Sequence, residues 1–188
     1  YASKSKGPEA DFKLLKYLYV NAHHSPFEAV KFTFHIKMPI FVQRQYIRHR
    51  MQNVNEVSAR YTEVEDSWYV PETWRKQTVK NKQSSVETAE LDHRGLTEDY
   101  NMVCDVIFNC YEDLLERGVA REMARMILPV SMYTEFYATW DLRNLLHFIT
   151  LRDDPHAQFE IQEYARAMKT LAATICPDTF KIFDEARG

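Results

Sequence analysis

The chain has 188 residues, enough for one domain with its own core, and 45% of them are apolar. Its net charge of −3 speaks against a binder of polymeric nucleic acid, which usually carries a strongly basic domain. No apolar run approaches the roughly 18 residues of a membrane span, and no leader peptide is visible. The expected setting is therefore cytoplasmic, without a membrane partner.

Residues 1–10 are polar and read as loose. Asp11–Val20 carries Phe12, Leu15, Leu18 and Tyr19 at helical spacing, and Asn21–Pro26 reads as a turn. In Val30–Met38, Val30, Phe32, Phe34, Ile36 and Met38 alternate with polar residues, so a strand with one buried face is predicted. His35 falls on its polar face and reads as a solvated or cross-strand residue. Pro39 suits the first turn of a helix over 40–51. Residues 52–61 are a connector or a short strand, and 62–85 a long surface loop. Val86–Arg117 is a long helical region whose apolar face is Tyr100, Val103, Ile107, Cys110, Leu114 and Leu115, with Gly118 as its C-cap. Ala120–Ile127 makes a helix, Met132–Thr139 a strand and Leu142–Leu151 a helix. Asp154-Pro155 opens a last helix that ends at Pro177. The class is α+β, a mainly antiparallel sheet packed with several helices, helices predominating.

Only Gly7, Gly95, Gly118 and Gly188 are present, so neither G-x-G-x-x-G nor G-x-x-x-x-G-K-[ST] can be built. A nucleotide would have to be held by side chains and helix ends, for which the planar fork of Arg is suited. Cys104, Cys110 and Cys176 include no C-x-x-C, and no H-E-x-x-H or comparable spacing occurs. No metal is expected, and the cysteines read as free thiols.

RQYIRHR at 44–50 is the densest cationic feature. On a helix Arg44 and Arg48 share a face, as do Gln45 and Arg48, while Arg48, His49 and Arg50 fan around the axis. A solvated helix end is the bland alternative. NVNEVSARY at 53–61 follows, and its Asn55, Glu56, Ser58 and Arg60 serve no apolar purpose. Together the two stretches suit a phosphate-and-base site. Ser58 could be a nucleophile, but no base-and-orienter pair accompanies it, so binding is the better reading.

RHRMQNVNEVSARY at 48–61 resembles the signature RHRxxSxNExSxRY of the flavin-dependent thymidylate synthases. The match takes in Arg48, His49, Arg50, Asn55, Glu56, Ser58, Arg60 and Tyr61; Asn53 stands where that family has Ser or Thr. The stretches 24–50, 120–129 and 142–162 look like further family segments, so the resemblance covers roughly residues 11–178. It implies a single domain over 1–188 whose N-terminal start, including about one strand, is missing. It also implies a homotetramer with active sites shared between subunits.

By resemblance, FAD would meet Ser25, Arg48, His49, Arg50, Glu56, Asp141, Leu142, Arg143 and His147, with His23 near flavin and folate. The substrate dUMP would meet Gln45, Arg48, Glu56, Ser58, Ala59, Arg60, Arg125 and Arg152, with Gln45 and Arg48 donated by a neighbouring subunit. Arg121 is left as a surface residue. Arg152 is the implied catalytic residue, a fixed cation at the uracil edge that favours ionisation of the pyrimidine N3. The implied reaction converts dUMP to dTMP. Methylene-tetrahydrofolate gives the one-carbon unit and leaves as tetrahydrofolate, and NADPH reduces the FAD.

Overall fold

The computed structural model describes residues 4–79 and 85–187. The expected loose start at 1–10 and the expected loop at 62–85 thus fall in part outside the described residues. Among the described residues there are eight α-helices, one 3-10 turn and five strands. Helices predominate over small antiparallel sheets, as the α+β reading requires.

Strands β1 (Lys31–Pro39), β2 (Gln52–Glu56) and β5 (Tyr133–Asp141) form one sheet in the order β1-β5-β2. The alternation read from sequence is what buries Phe34, Ile36 and Met38 on one face of β1. The other face explains the pairing. Thr33 bonds Thr139 at 2.9 Å, His35 stacks on Tyr137 at 4.6 Å, and Lys37 lies 3.9 Å from Glu135. One residue number rises by two as the other falls by two, which is an antiparallel register. His35 is therefore the cross-strand residue that its position suggested. A second sheet pairs β3 (Arg75–Gln77) antiparallel with β4 (Ser85–Glu87), so the stretch expected to be only loop carries β3 and the first residue of β4.

Contacts divide the chain into two compact units. The first comprises Tyr1–Phe34, Met51–Asn53 and Thr139–Gly188, the second His35–Arg50 and Val54–Ala138.

In the first unit, α1 (Pro8–Val20) packs on α8 (Pro177–Glu185), α8 on α7 (Phe159–Ile175), α7 on α6 (Leu142–Arg152), and α6 on α2 (Ser25–Glu28). Apolar residues at helical spacing make this core: Leu145, Phe148 and Ile149 from α6, then Ile161, Ala165, Met168 and Ala172 from α7. The helix expected to run from Asp154 starts at Phe159, because 154–158 form a turn in which the Asp154 carboxylate accepts the His156 N–H at 2.8 Å. That bond is the main reason the Asp154 carboxyl is held below its usual range. Pro177 ends α7 and also opens α8, a helix missed from sequence, since Pro suits the first helical turn.

In the second unit, α3 (Ile40–Tyr46) is shorter than the expected 40–51. Beyond it the bonds tighten, Arg48 N–H to Gln45 C=O and His49 N–H to Tyr46 C=O, and the chain turns into β2. Helix α4 (His93–Glu116) begins after Asp92, whose carboxylate accepts the Gly95 N–H at 3.0 Å, so Val86 belongs to β4 and not to the helix. Its buried stripe is Cys104, Phe108 and Tyr111. The expected face was rotated: Val103 and Cys110 are exposed, while Tyr100, Ile107, Leu114 and Leu115 are half-buried. Gly118, at φ 83°, closes the helix as expected. Its N–H bonds Leu115 C=O, the Val119 N–H bonds Leu114 C=O, and both Leu114 and Val119 pack on the cluster of Phe108, Tyr111, Ala124 and Met132. Helix α5 (Arg121–Ala124) runs into a 3-10 turn at Arg125–Ile127.

Candidate functional site

A cavity of about 500 Å³ opens in the second unit, a size common for small-ligand sites. Glu56, Val57, Ser58 and Ala59 form one wall, where β2 ends and the chain turns. Arg125 enters from the 3-10 turn, because α5 seats Ala124 in the core and leaves the next side chain at the rim. Lys37 from β1, Thr134 and Glu135 from β5, and Thr62, Glu63, Glu65 and Ser67 from the segment after β2 add further polar lining, and Ile40, Leu128 and Met132 supply apolar surface.

Glu56 is held in place. Its Oε2 accepts from Gln43 Nε2 at 2.9 Å and its Oε1 accepts from Thr134 Oγ1 at 2.6 Å. Gln43 is buried on α3. Two donors on one carboxylate fix its orientation and leave its remaining lone pairs for a ligand. Sequence reading passed over both Gln43 and Thr134. The signal for Gln43 was its place three residues before Tyr46, on the helix face that buries Val42 and Tyr46; Thr134 gave none.

Arg60 is not among the residues lining the cavity. Its guanidinium lies 3.1 Å from Glu122 and beside the Tyr61 ring, and its backbone N–H donates to Ser58 Oγ at 3.3 Å. Arg121 pairs with Glu63 at 2.9 Å and stays at the surface, as expected. Gln45 is half-buried at the end of α3, while Arg48, His49 and Arg50 lie past it, Arg48 and Arg50 exposed and His49 half-buried. The three do not fan around a helix axis, as the longer helix had implied, because α3 ends at Tyr46, whose ring is fully buried against Phe136.

Asn53 is an exposed residue of β2. An exposed position tolerates exchange of one small polar residue for another, so Asn53→Ser should change turnover by no more than about threefold. Steady-state rates of the two forms check this, and an inactive variant would refute it.

The first unit holds the remaining candidates. Ser25 opens α2 and is exposed. Asp141 caps α6: its Oδ1 accepts the Asn144 N–H at 2.8 Å, and Asn144 Nδ2 and Lys31 also approach it. Leu142 is buried and its N–H donates to Val30 C=O at 2.9 Å. Arg143 and His147, four apart on α6, share the face away from the core, with Arg143 Nε 3.7 Å from Glu28. Arg152 is the last residue of α6 and is half-buried, and the loss of solvent pulls its guanidinium below the usual value for arginine. It remains a cation at any physiological pH. Among the described residues, no group of three or more His, Cys, Asp or Glu could hold a metal ion, and no helix is long and apolar enough to cross a membrane.

An α+β chain without a glycine-rich phosphate loop, with a carboxylate-and-arginine cavity at a strand end, would have to meet any nucleotide through side chains. Comparison with known proteins gives the family. The profile of the thymidylate synthase complementing protein family matches residues 1–178. The flavin-dependent thymidylate synthase of Kosmotoga olearia is 47% identical, over 94% of this chain and 77% of its own length. That of Thermosipho melanesiensis is 47% identical, over 97% of this chain and 80% of its own. Among solved structures, a UMP/dUMP methylase, PolB, from Streptomyces cacaoi bound with 5-Br dUMP superposes with a TM-score of 0.89 at 35% identity, covering 97% of this chain and 82% of that one. The chain belongs to the flavin-dependent thymidylate synthase family.

Proposed function

We propose that the chain catalyses reductive methylation of dUMP to dTMP, with methylene-tetrahydrofolate as one-carbon donor and FAD reduced by NADPH. The observation that carries this reading is the cavity into which Glu56, Ser58, Ala59 and Arg125 converge. All four lie at positions where the family resemblance implied dUMP. In this reading Arg125 meets the phosphate, the oriented Glu56 carboxylate accepts from sugar or base, and Ser58 donates a positioning hydrogen bond. The family resemblance, and not this cavity, is what assigns Arg152 of the first unit as a fixed positive charge for a uracil that becomes anionic.

The donor set also suits FAD. A dinucleotide diphosphate calls for cations and hydroxyls, and Arg143 with His147 on α6 and Ser25 on α2 offer them. Arg48, His49 and Arg50 add a second cationic group. Asp141 would act through its cap of α6, which orients Arg143. When bound, the flavin supplies the hydride; the protein binds, orients and polarises. No cysteine lines the cavity, so no thiol is assigned to the pyrimidine.

A homotetramer with shared sites completes the proposal. Met102, Val103 and Val106 make an exposed apolar row on α4 that suits burial against another copy. The purified protein should be yellow, and its flavin spectrum should shift on adding dUMP, with dTMP formed once NADPH and methylene-tetrahydrofolate are present. A colourless protein that makes no dTMP after FAD is supplied would refute the proposal.

A further inference from the structure

Arg152 ends α6, and a helix end is held only by what satisfies its last carbonyls and fixes its cap. Here the cap residue is Asp153, whose N–H bonds Ile149 C=O at 2.8 Å. Two arginines grip it. Arg166 Nε on α7 donates to the Asp153 carboxylate at 2.8 Å, and Arg187 Nη2, past α8, donates to the Asp153 carbonyl at 3.1 Å.

The grip extends along the turn. Arg166 Nη2 donates to Gln162 Oε1 at 2.7 Å, and Gln162 Nε2 donates to Ala157 C=O at 2.7 Å. Arg166 Nη1 takes Glu163 at 2.6 Å. One guanidinium thus makes three charge-assisted or polar bonds; the Arg166 side chain is exposed, while that of Asp153 is half-buried. An exposed ion pair alone stabilises little. A planar fork locked on three acceptors fixes geometry instead.

We infer that Arg166, acting through Asp153, is a positioning residue for Arg152. It holds the C-terminal end of α6 so that the Arg152 guanidinium keeps one direction. The inference rests on the proposed catalytic role of Arg152. It concerns a contact between α6 and α7 that Lys in place of Arg can make only in part, because Lys is a single point of charge.

The test uses the flavin-loaded enzyme. Arg166→Leu should lower kcat about tenfold, since small misplacement of a catalytic group is costly. KM for NADPH, bound flavin and melting temperature should stay near those of the parent. Arg166→Lys should recover part of the loss. Asp153→Asn, which weakens the same contact from the α6 side, should reproduce the loss and serves if Arg166→Leu does not fold. In an Arg152→Ala background Arg166→Leu should cost less than about twofold, because groups acting as a unit are not additive. Unchanged kcat in Arg166→Leu or Asp153→Asn, or a full tenfold loss in the Arg152→Ala background, overturns the positioning role and leaves the proposed function standing. Normal turnover in Arg152→Ala itself overturns the catalytic assignment and this inference with it.

Discussion

Replacing Arg152 by Ala should leave flavin bound and reduce dTMP formation by about 10²–10³-fold, the usual loss when one preorganised donor to a developing anion is removed. Several features set that size. Arg152 is a permanent cation, and it is half-buried, so water screens it less than a surface arginine. Its cap is gripped by Arg166 and Arg187, so little reorganisation is needed when charge develops. Arg152→Lys should fall between the two, because the charge survives and the fork does not. Flavin absorbance measured beside single-turnover rates separates chemistry from cofactor loss. A variant that turns over like the parent would remove Arg152 from the mechanism.

Trp140→Ala should destabilise the fold by about 3–5 kcal/mol, the range for deleting a large buried aromatic. Trp140 is 1% exposed and its ring lies 5.2 Å from that of Phe148 on α6. For a chain of this length that energy lowers the melting temperature by roughly 10 °C. The other tryptophans of the described residues are anchored differently: Trp68 donates to Asn101 and Trp74 to Thr97, both only part-buried. A loss below about 1 kcal/mol in chemical denaturation would mean that the core around Trp140 repacks.

The legible parts of this molecule are those with a strong local period or a fixed chemical motif. The alternation of 30–38 marks β1 because a half-buried strand requires it. The 48–61 signature brought Glu56, Ser58 and Ala59 into view as a group, and they do share one cavity with Arg125. What stayed hidden depended on tertiary context. The end of α3 at Tyr46 is set by burial of that ring and by the turn into β2, neither of which is a local propensity. The rotation of the α4 stripe by one position reflects what packs on Cys104, Phe108 and Tyr111. The pairing of Glu56 with Thr134 joins residues 78 apart, and no sequence period reports such a bond. Asp141, a ligand residue by resemblance, also caps the first turn of α6, a role its position before Leu142 already suits.

The register of β1 against β5 has a consequence for synthesis. Thr33 and its partner Thr139 are 106 residues apart. At ordinary rates of translation, roughly 5–20 residues per second, β1 leaves the ribosome roughly 5–20 s before β5 exists to pair with it. Through that interval its apolar face of Phe34, Ile36 and Met38 and the backbone edge that pairs with β5 lack their final partners. Nascent chains of this protein thus carry an adhesive segment early, and a chaperone that shields residues 31–39 would act before the cavity lined by Glu56 and Arg125 can close.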